Sequence, residues 1–308
     1  MPKPFLTFHE QLYLMEERGL TIDIPTEEAI KFLARVSYFH LNQYRFILEK
    51  STDVYREEAL FSSLQKIHLQ DSKLRHSIFF IISQIEVALR TQLAYYIGEQ
   101  GGSFSKSLVL LTNNESVVAN WQQIFEKPLS QHLVYAKEQG KNINEIEPWI
   151  ALEGYEFGGL LYLYKALPKG LQANIQDFFH LESYDLKNTL YALKNLRNIT
   201  AHNEAIICRY SFLNVSQVSQ IILPEEYNSL KKTGFKEVAN IFPDLYPPHR
   251  LVKNQPQELL IQELFLPYYK ILKYFIEILN LKNEEANTTF TKLTQQYAVI
   301  LGLKKEWL

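Results

Sequence analysis

The sequence predicts an all-α fold, and three observations carry that expectation. Apolar residues recur at steps of three and four over long stretches. Leu60, Leu64, Ile67, Leu74, Ile78, Ile82, Ile85, Leu89 and Leu93 form one stripe, and Leu186, Leu190, Leu193, Leu196 and Ile199 form a second. A third runs through Ile261, Leu264, Tyr268, Ile271, Phe275 and Ile278. Next, Gly98, Gly101, Gly102, Gly140, Pro168 and Gly170 fall between such stretches, where helix breakers belong. Finally, 46% apolar and 21% charged residues over 308 positions suit an ordinary globular chain, with enough length for one large domain or two small ones.

Taken in order, Pro2 to Phe8 reads as an extended lead, and His9 to Arg18 as a helix stopped by Gly19. Thr26 to Arg45 reads as one helix capped by Thr26, its aromatic end (Tyr38, Phe39, Tyr44, Phe46) forming a packing face. Ala59 to Ile97 is the longest helix, with Asp71 as a candidate break. Asp71–Arg75 and Glu86–Arg90 on it are i,i+4 pairs, each worth about 0.3–0.5 kcal/mol if exposed.

Gly98 to Asn114 reads as a loop. Its glycines lack the G-K-[ST] ending of a phosphate-binding loop, so no nucleotide site is expected there. Glu115 to Glu138 is a helix interrupted at Pro128, and Gly140 to Glu147 a polar linker. Pro148 to Leu167 is a helix with Gly158–Gly159 in its middle. Each glycine costs about 1 kcal/mol there relative to alanine, which predicts a close helix crossing. Leu171 to Phe179 is a short helix, and Leu186 to Arg209 a long one with Asp185 as its cap. Tyr210 to Leu223 suits a strand or an irregular segment. Phe242 to Gln257, with four prolines, is a loop or linker, and Glu258 to Leu281 and Glu284 to Gly302 are the last helices.

Cys208 is the single cysteine, which excludes an intrachain disulfide and a thiolate zinc cluster and suits a reducing compartment. No metal site and no cofactor is expected. Met1 to Gln11 has no apolar core of a signal peptide. The longest run without Asp, Glu, Lys or Arg is Tyr210 to Pro224, short of the roughly twenty residues of a membrane span. A cytoplasmic protein without membrane contact is therefore expected. The net charge of −2 gives no global basic footprint for nucleic acid. From Lys187 to Arg209 the balance is instead +3.

The chemistry concentrates in that basic helix, within L-K-N-L-R-N-I-T-A-H-N-E. Asn198 and His202 are four apart and share a helix face, about 40° from each other. Arg197 and His202 are five apart, about 140° on an ideal helix. Arginine reach, helix termination near His202, or a site shared by two copies would each relieve that separation. Arg197 and Glu204 are seven apart and nearly eclipsed, so they could pair. Histidine suits proton transfer near neutrality, arginine presents a forked cation to phosphate oxygens, and asparagine can orient either. Such a set suits metal-free RNA cleavage, with the 2′-hydroxyl attacking the neighbouring phosphorus. The spacing alone is weak: Arg35 and His40 repeat it in ARVSYFHLN, where Val36 follows the arginine.

R-N-I-T-A-H resembles the Arg-x4–6-His signature of HEPN ribonuclease domains, whose arginine is typically followed by a polar residue. The wider chain resembles the Abi-like (AbiD/AbiF-type) abortive-infection proteins of bacteria. FLARVSYFHLNQYRF, DSKLRHSIFFIISQIEVALRTQLAYYI, EPWIALEGYEFGGLLYLYKAL and LKNLRNITAHNEAIICR carry that likeness, from about Leu33 to Arg209. It implies a HEPN-like helical bundle over residues 51–209, braced by N-terminal helices over 1–50 and followed by a mostly helical region over 210–308. It implies an endoribonuclease of antiviral defence, with Arg197, Asn198 and His202 catalytic. Glu86, Arg90, Glu204 and Lys194 would bind phosphate or support the site, although Glu86 and Arg90 could equally be structural. It implies pairing into a homodimer, an RNA substrate and a regulatory small RNA or protein inhibitor. Asn203 and Glu204 depart from the basic or aromatic residue expected after the histidine. The alternative is a non-catalytic RNA- or protein-binding module using the same helix.

Overall fold

Thr7 sets the first element. Its hydroxyl accepts from the Glu10 amide at 3.3 Å while the Glu10 carboxylate accepts from the Thr7 amide at 2.7 Å, a capping box that starts α1 (Phe8–Glu17). Gly19, at φ +92°, closes it. The computed structural model describes residues 4–51, 53–181, 186–207 and 265–296.

Pro25, not Thr26, is the cap residue of α2 (Thr26–Val36), and Thr26 is its first helical position. The helix stops at Ser37, whose φ is +66° and whose hydroxyl accepts from the His40 amide. That turn begins α3 (Tyr38–Leu41), followed by α4 (Arg45–Leu48). The single helix expected over Thr26 to Arg45 is therefore three pieces, because a serine side chain satisfies the backbone locally and offers it a way out of the helix. Arg35 and His40 consequently lie on different helices. An antiparallel pair, β1 (Glu49–Ser51) and β2 (Val54–Tyr55), interrupts the helices among the described residues.

α5 (Phe61–Gly98) runs 38 residues without interruption. Asp23 starts it from a distance, accepting from the Ser62 amide at 2.9 Å. By length and composition alone α5 is apolar enough to cross a membrane, contrary to expectation. Its Leu74, Ile78, Ile81, Ile82, Ile85 and Leu89 are nevertheless all buried within the protein.

The segment read as a loop after Gly98 contains α6 (Phe104–Leu111), whose first turn is capped by Ser103. Phe104 packs edge-on to Trp121 at 5.0 Å, anchoring α6 on α7 (Glu115–Glu126). α8 (Gln131–Glu138) follows the expected interruption near Pro128. Pro148 to Leu167 is not one helix. It divides into α9 (Pro148–Ala151), a 3₁₀ turn over Leu152–Gly154, and α10 (Phe157–Ala166). The tight approach is at Gly154, where a Cβ would lie 2.5 Å from Leu133 and 2.7 Å from Ile124. Gly158 meets only the Lys194 side chain, at 3.7 Å. α11 (Lys169–Phe178), α12 (Leu186–Ala201), α13 (Leu266–Ile278) and α14 (Glu285–Gln296) complete the described helices. Asp185 and the segments expected over Tyr210 to Leu223 and Phe242 to Gln257 lie outside the described residues.

Two compact units divide the chain. One draws on the described residues of Met1–Phe79, Leu196–Lys270 and Asn283–Leu308, the other on those of Phe80–Asn195 and Ile271–Lys282. In the first, Tyr269 of α13 stacks on Phe290 of α14 at 5.8 Å. In the second, the Tyr274 hydroxyl of α13 donates to the Phe179 and His180 carbonyls while Phe275 packs on Phe179.

His68 lies in the first unit, edge-on to Phe32 at 6.0 Å and to Tyr44 at 5.8 Å. Its Nδ1 is buried without a hydrogen bond. Burial, then the Arg75 and His40 charges, hold its pKa down at about 4. The unfolded chain takes up that proton near pH 6.5, so the contribution of neutral His68 is present above that pH and is lost as pH falls towards 4. The melting temperature should therefore drop between pH 6.5 and 4, and His68→Phe should drop less over the same interval. Thermal unfolding across that range checks this.

Candidate functional site

α12 forms where the sequence places it. Leu186, Leu190, Leu193, Leu196 and Ile199 are buried along one face, and Ala192 and Thr189 join them. The helix does not continue to Arg209 but ends at Ala201. The Glu204 amide returns to the Ile199 carbonyl at 3.0 Å, the Asn203 amide to the Thr200 carbonyl at 3.3 Å, and Asn203 has φ +57°. This is a Schellman cap with asparagine in the left-handed position, which its short polar side chain tolerates. His202 is the cap residue: exposed, with its amide on the Asn198 carbonyl at 2.9 Å.

Arg197 is half-buried on the last helical turn. Its guanidinium lies 5.8 Å over the Phe79 ring, and its Nε is buried without a hydrogen-bond partner. Among the described residues no carboxylate pairs with it, so the suggested Arg197–Glu204 pair is not made. Asn198 is half-buried and Glu204 exposed. These four residues occupy one helix end within one unit.

Glu86, Arg90 and Lys194 fall in the other unit. Arg90 donates to Glu86 at 2.9 Å, to the Leu152 carbonyl at 3.1 Å and to the Tyr155 carbonyl at 3.1 Å. The pair therefore ties α5 to the 3₁₀ turn after α9, satisfying carbonyls where the helix breaks. Lys194 rests over its neighbour Tyr191 at 5.5 Å.

After Glu204 the chain turns inward. Ala205, Ile206 and Ile207 are all buried. The Ala205 amide donates to Gln43 Oε1 at 3.3 Å. The Ile206 and Ile207 amides donate to one oxygen, Asp71 Oδ1, at 3.0 and 2.6 Å. Asp71 Oδ2 accepts from the Tyr44 hydroxyl at 2.7 Å and from Arg75 Nη1. Asp71 is fully buried and Arg75 nearly so, so their pair is no exposed i,i+4 contact. Removing one partner would strand a buried charge, at about 3–5 kcal/mol. Burial pushes the Asp71 carboxyl upward. Against that act Arg75, the Ile207 amide, the Tyr44 hydroxyl and the Ile206 amide. Burial of the Tyr44 hydroxyl, and then the same carboxylate beside it, drive its pKa far up.

Sequence reasoning put Asp71 in a surface pair, yet a signal was there. The stripe steps from Ile67 to Leu74, and Asp71 fills the missing core position between them. An acid in a core register needs internal donors.

A family model described as Abi-like protein matches residues 31–207. The chain belongs to the Abi-like protein family. That match spans α2 through the cap turn of α12, taking in Asp71, Arg197 and His202 of this Abi-like chain. It points to abortive-infection defence. No curated protein and no solved structure matches.

The left-handed turn at Asn203 yields a direct test. Asn203→Val should cost about 1–2 kcal/mol, because a β-branched residue opposes positive φ. Asn203→Gly should be tolerated. Thermal unfolding of the two variants should show a lowered midpoint for valine alone.

Proposed function

We propose that this Abi-like chain is a metal-independent endoribonuclease of abortive-infection defence. The observation that carries the reading is the end of α12, where an exposed imidazole (His202) sits on a fixed cap turn one helical turn beyond Asn198, at the same helix end as an arginine that pairs with no carboxylate among the described residues. R-N-I-T-A-H and the family membership support it. As the cap residue His202 still has its amide on the Asn198 carbonyl, which leaves it about 140° from Arg197 on the helix and favours a cleft completed by a second copy.

In this reading the 2′-oxygen of a ribose bonds to phosphorus as the P–O5′ bond breaks. One proton leaves the 2′-hydroxyl and one reaches the departing 5′-oxygen. His202 performs one of these transfers, Arg197 stabilises charge on the phosphoryl oxygens, and Asn198 orients the imidazole. Two transfers and one motif histidine per chain favour a homodimer, in which a second copy supplies the other His202. Glu204, on the same cap turn, then serves as a supporting residue of the site. A small RNA or protein inhibitor would keep the nuclease silent in uninfected cells, and the site of action is the cytoplasm.

The net charge of −2 favours a second reading, a binding module that holds RNA or a protein on the same helix without cutting it.

His202→Ala should reduce RNA cleavage by about 10²–10⁴-fold, the range for loss of a general acid or base, with RNA binding and melting temperature near the parental values. Products should end in 2′,3′-cyclic phosphate and 5′-hydroxyl, and EDTA should leave the rate unchanged. Cleavage by His202→Ala at the parental rate rejects the assignment. Tight RNA binding by the wild-type chain with no turnover supports the module.

A further inference from the structure

We infer that Asp71 is the positioning residue for His202, acting through the backbone that leaves the cap turn. This rests on the ribonuclease reading above and deepens it by naming what holds the imidazole in place. The exposed turn His202–Glu204 is bracketed. Upstream, the Ile199 and Thr200 carbonyls hold it through the cap bonds; downstream, Asp71 Oδ1 holds the Ile206 and Ile207 amides at 3.0 and 2.6 Å. Ile206 follows His202 by only four residues, so releasing its amide leaves the segment that carries the imidazole held by the upstream cap bonds and, beyond them, by the single long bond from the Ala205 amide to Gln43 at 3.3 Å. The second oxygen of Asp71 is fixed by Tyr44 and Arg75, which keeps the first aimed at the two amides. All these groups belong to one compact unit. Asp71 is fully buried and reaches His202 only through that backbone.

The division of labour between the two oxygens supplies a test that separates positioning from bulk stability. A lone Asp71→Asn can offer its oxygen to the two amides only by turning its NH₂ towards Arg75 and the Tyr44 hydroxyl, donor against cation. If Arg75 is replaced as well, that conflict disappears, because the Tyr44 oxygen can accept from the NH₂. The informative pair is Asp71→Asn/Arg75→Met against Asp71→Ala/Arg75→Met. Both lack the buried ion pair and strand no charge, and only the first retains an acceptor for the two amides.

RNA cleavage, thermal midpoint and amide exchange are to be measured on the full chain. The asparagine variant should keep kcat within about threefold of wild type. The alanine variant should lose about 10–100-fold in kcat with little change in KM, as expected when a reacting group is misplaced by about an ångström. Ile206 and Ile207 amide exchange should accelerate in the alanine variant alone. If the alanine variant does not fold, Asp71→Glu replaces it, since it keeps the charge but displaces the acceptor; reduced kcat at unchanged KM supports the proposal and wild-type kcat overturns it. Equal kcat in the two double variants at equal folded fraction also overturns it, as does an effect confined to KM. A wild-type chain that leaves RNA intact removes the ribonuclease reading and with it the positioning role given to Asp71. The exchange comparison then decides the clamp by itself.

Discussion

A single buried carboxylate organises the part of the molecule that carries the motif. Asp71 accepts from four donors drawn from three regions of the chain: the Tyr44 hydroxyl, Arg75 on its own helix, and the Ile206 and Ile207 amides beyond α12. A charge removed from water is tolerable only when its lone pairs are met, so the four donors and the acid specify one another's places. The same demand explains why α5 runs straight past Asp71. An aspartate breaks a helix by bonding to nearby backbone, and this one has no oxygen left for that.

The motif inherits its geometry from that constraint. α12 ends where an asparagine accepts a left-handed backbone, and the chain then dives to the Asp71 oxygen. His202 is left at the surface between two fixed points, while Arg197, one turn earlier, lies against Phe79 with little water around its Nε. An imidazole in water and a partly desolvated guanidinium differ in what they do well. The first can reach a substrate proton from the solvent side, and the second binds an anion more strongly than it would at the open surface.

Elements with strong local signals were legible from residue order. The buried face of α12, the length of α5 and the interruption near Pro128 all follow from periodicity and from proline. Signals that act over a few residues were misjudged when two competed. Gly101 and Gly102 masked the helix that Ser103 begins, and Ser37 split a stretch whose apolar spacing favoured continuity. Gly158–Gly159 looked like the close-packed pair, whereas Gly154 meets Leu133 and Ile124. Which glycine lies under a neighbouring side chain depends on how helices are placed, and that is not written in spacing. Glu86 and Arg90 present the same difficulty: their pairing was readable four residues apart, but the two carbonyls that occupy Arg90 come from Leu152 and Tyr155.

The order of residues by itself determined that this chain is helical, that Arg197, Asn198 and His202 crowd one helix end, and that the family is Abi-like. These properties reside in periodicity, composition and short motifs, each complete within a few turns of chain. Tertiary structure alone decided that Arg197 lies on Phe79 instead of pairing with Glu204, that the chain beyond the cap turn is drawn in to a buried carboxylate, and that Asp71 is an interior anchor and not a surface charge. Those outcomes depend on donors and rings separated by tens of residues or more, and burial makes each of them obligatory only once the chain has closed around them.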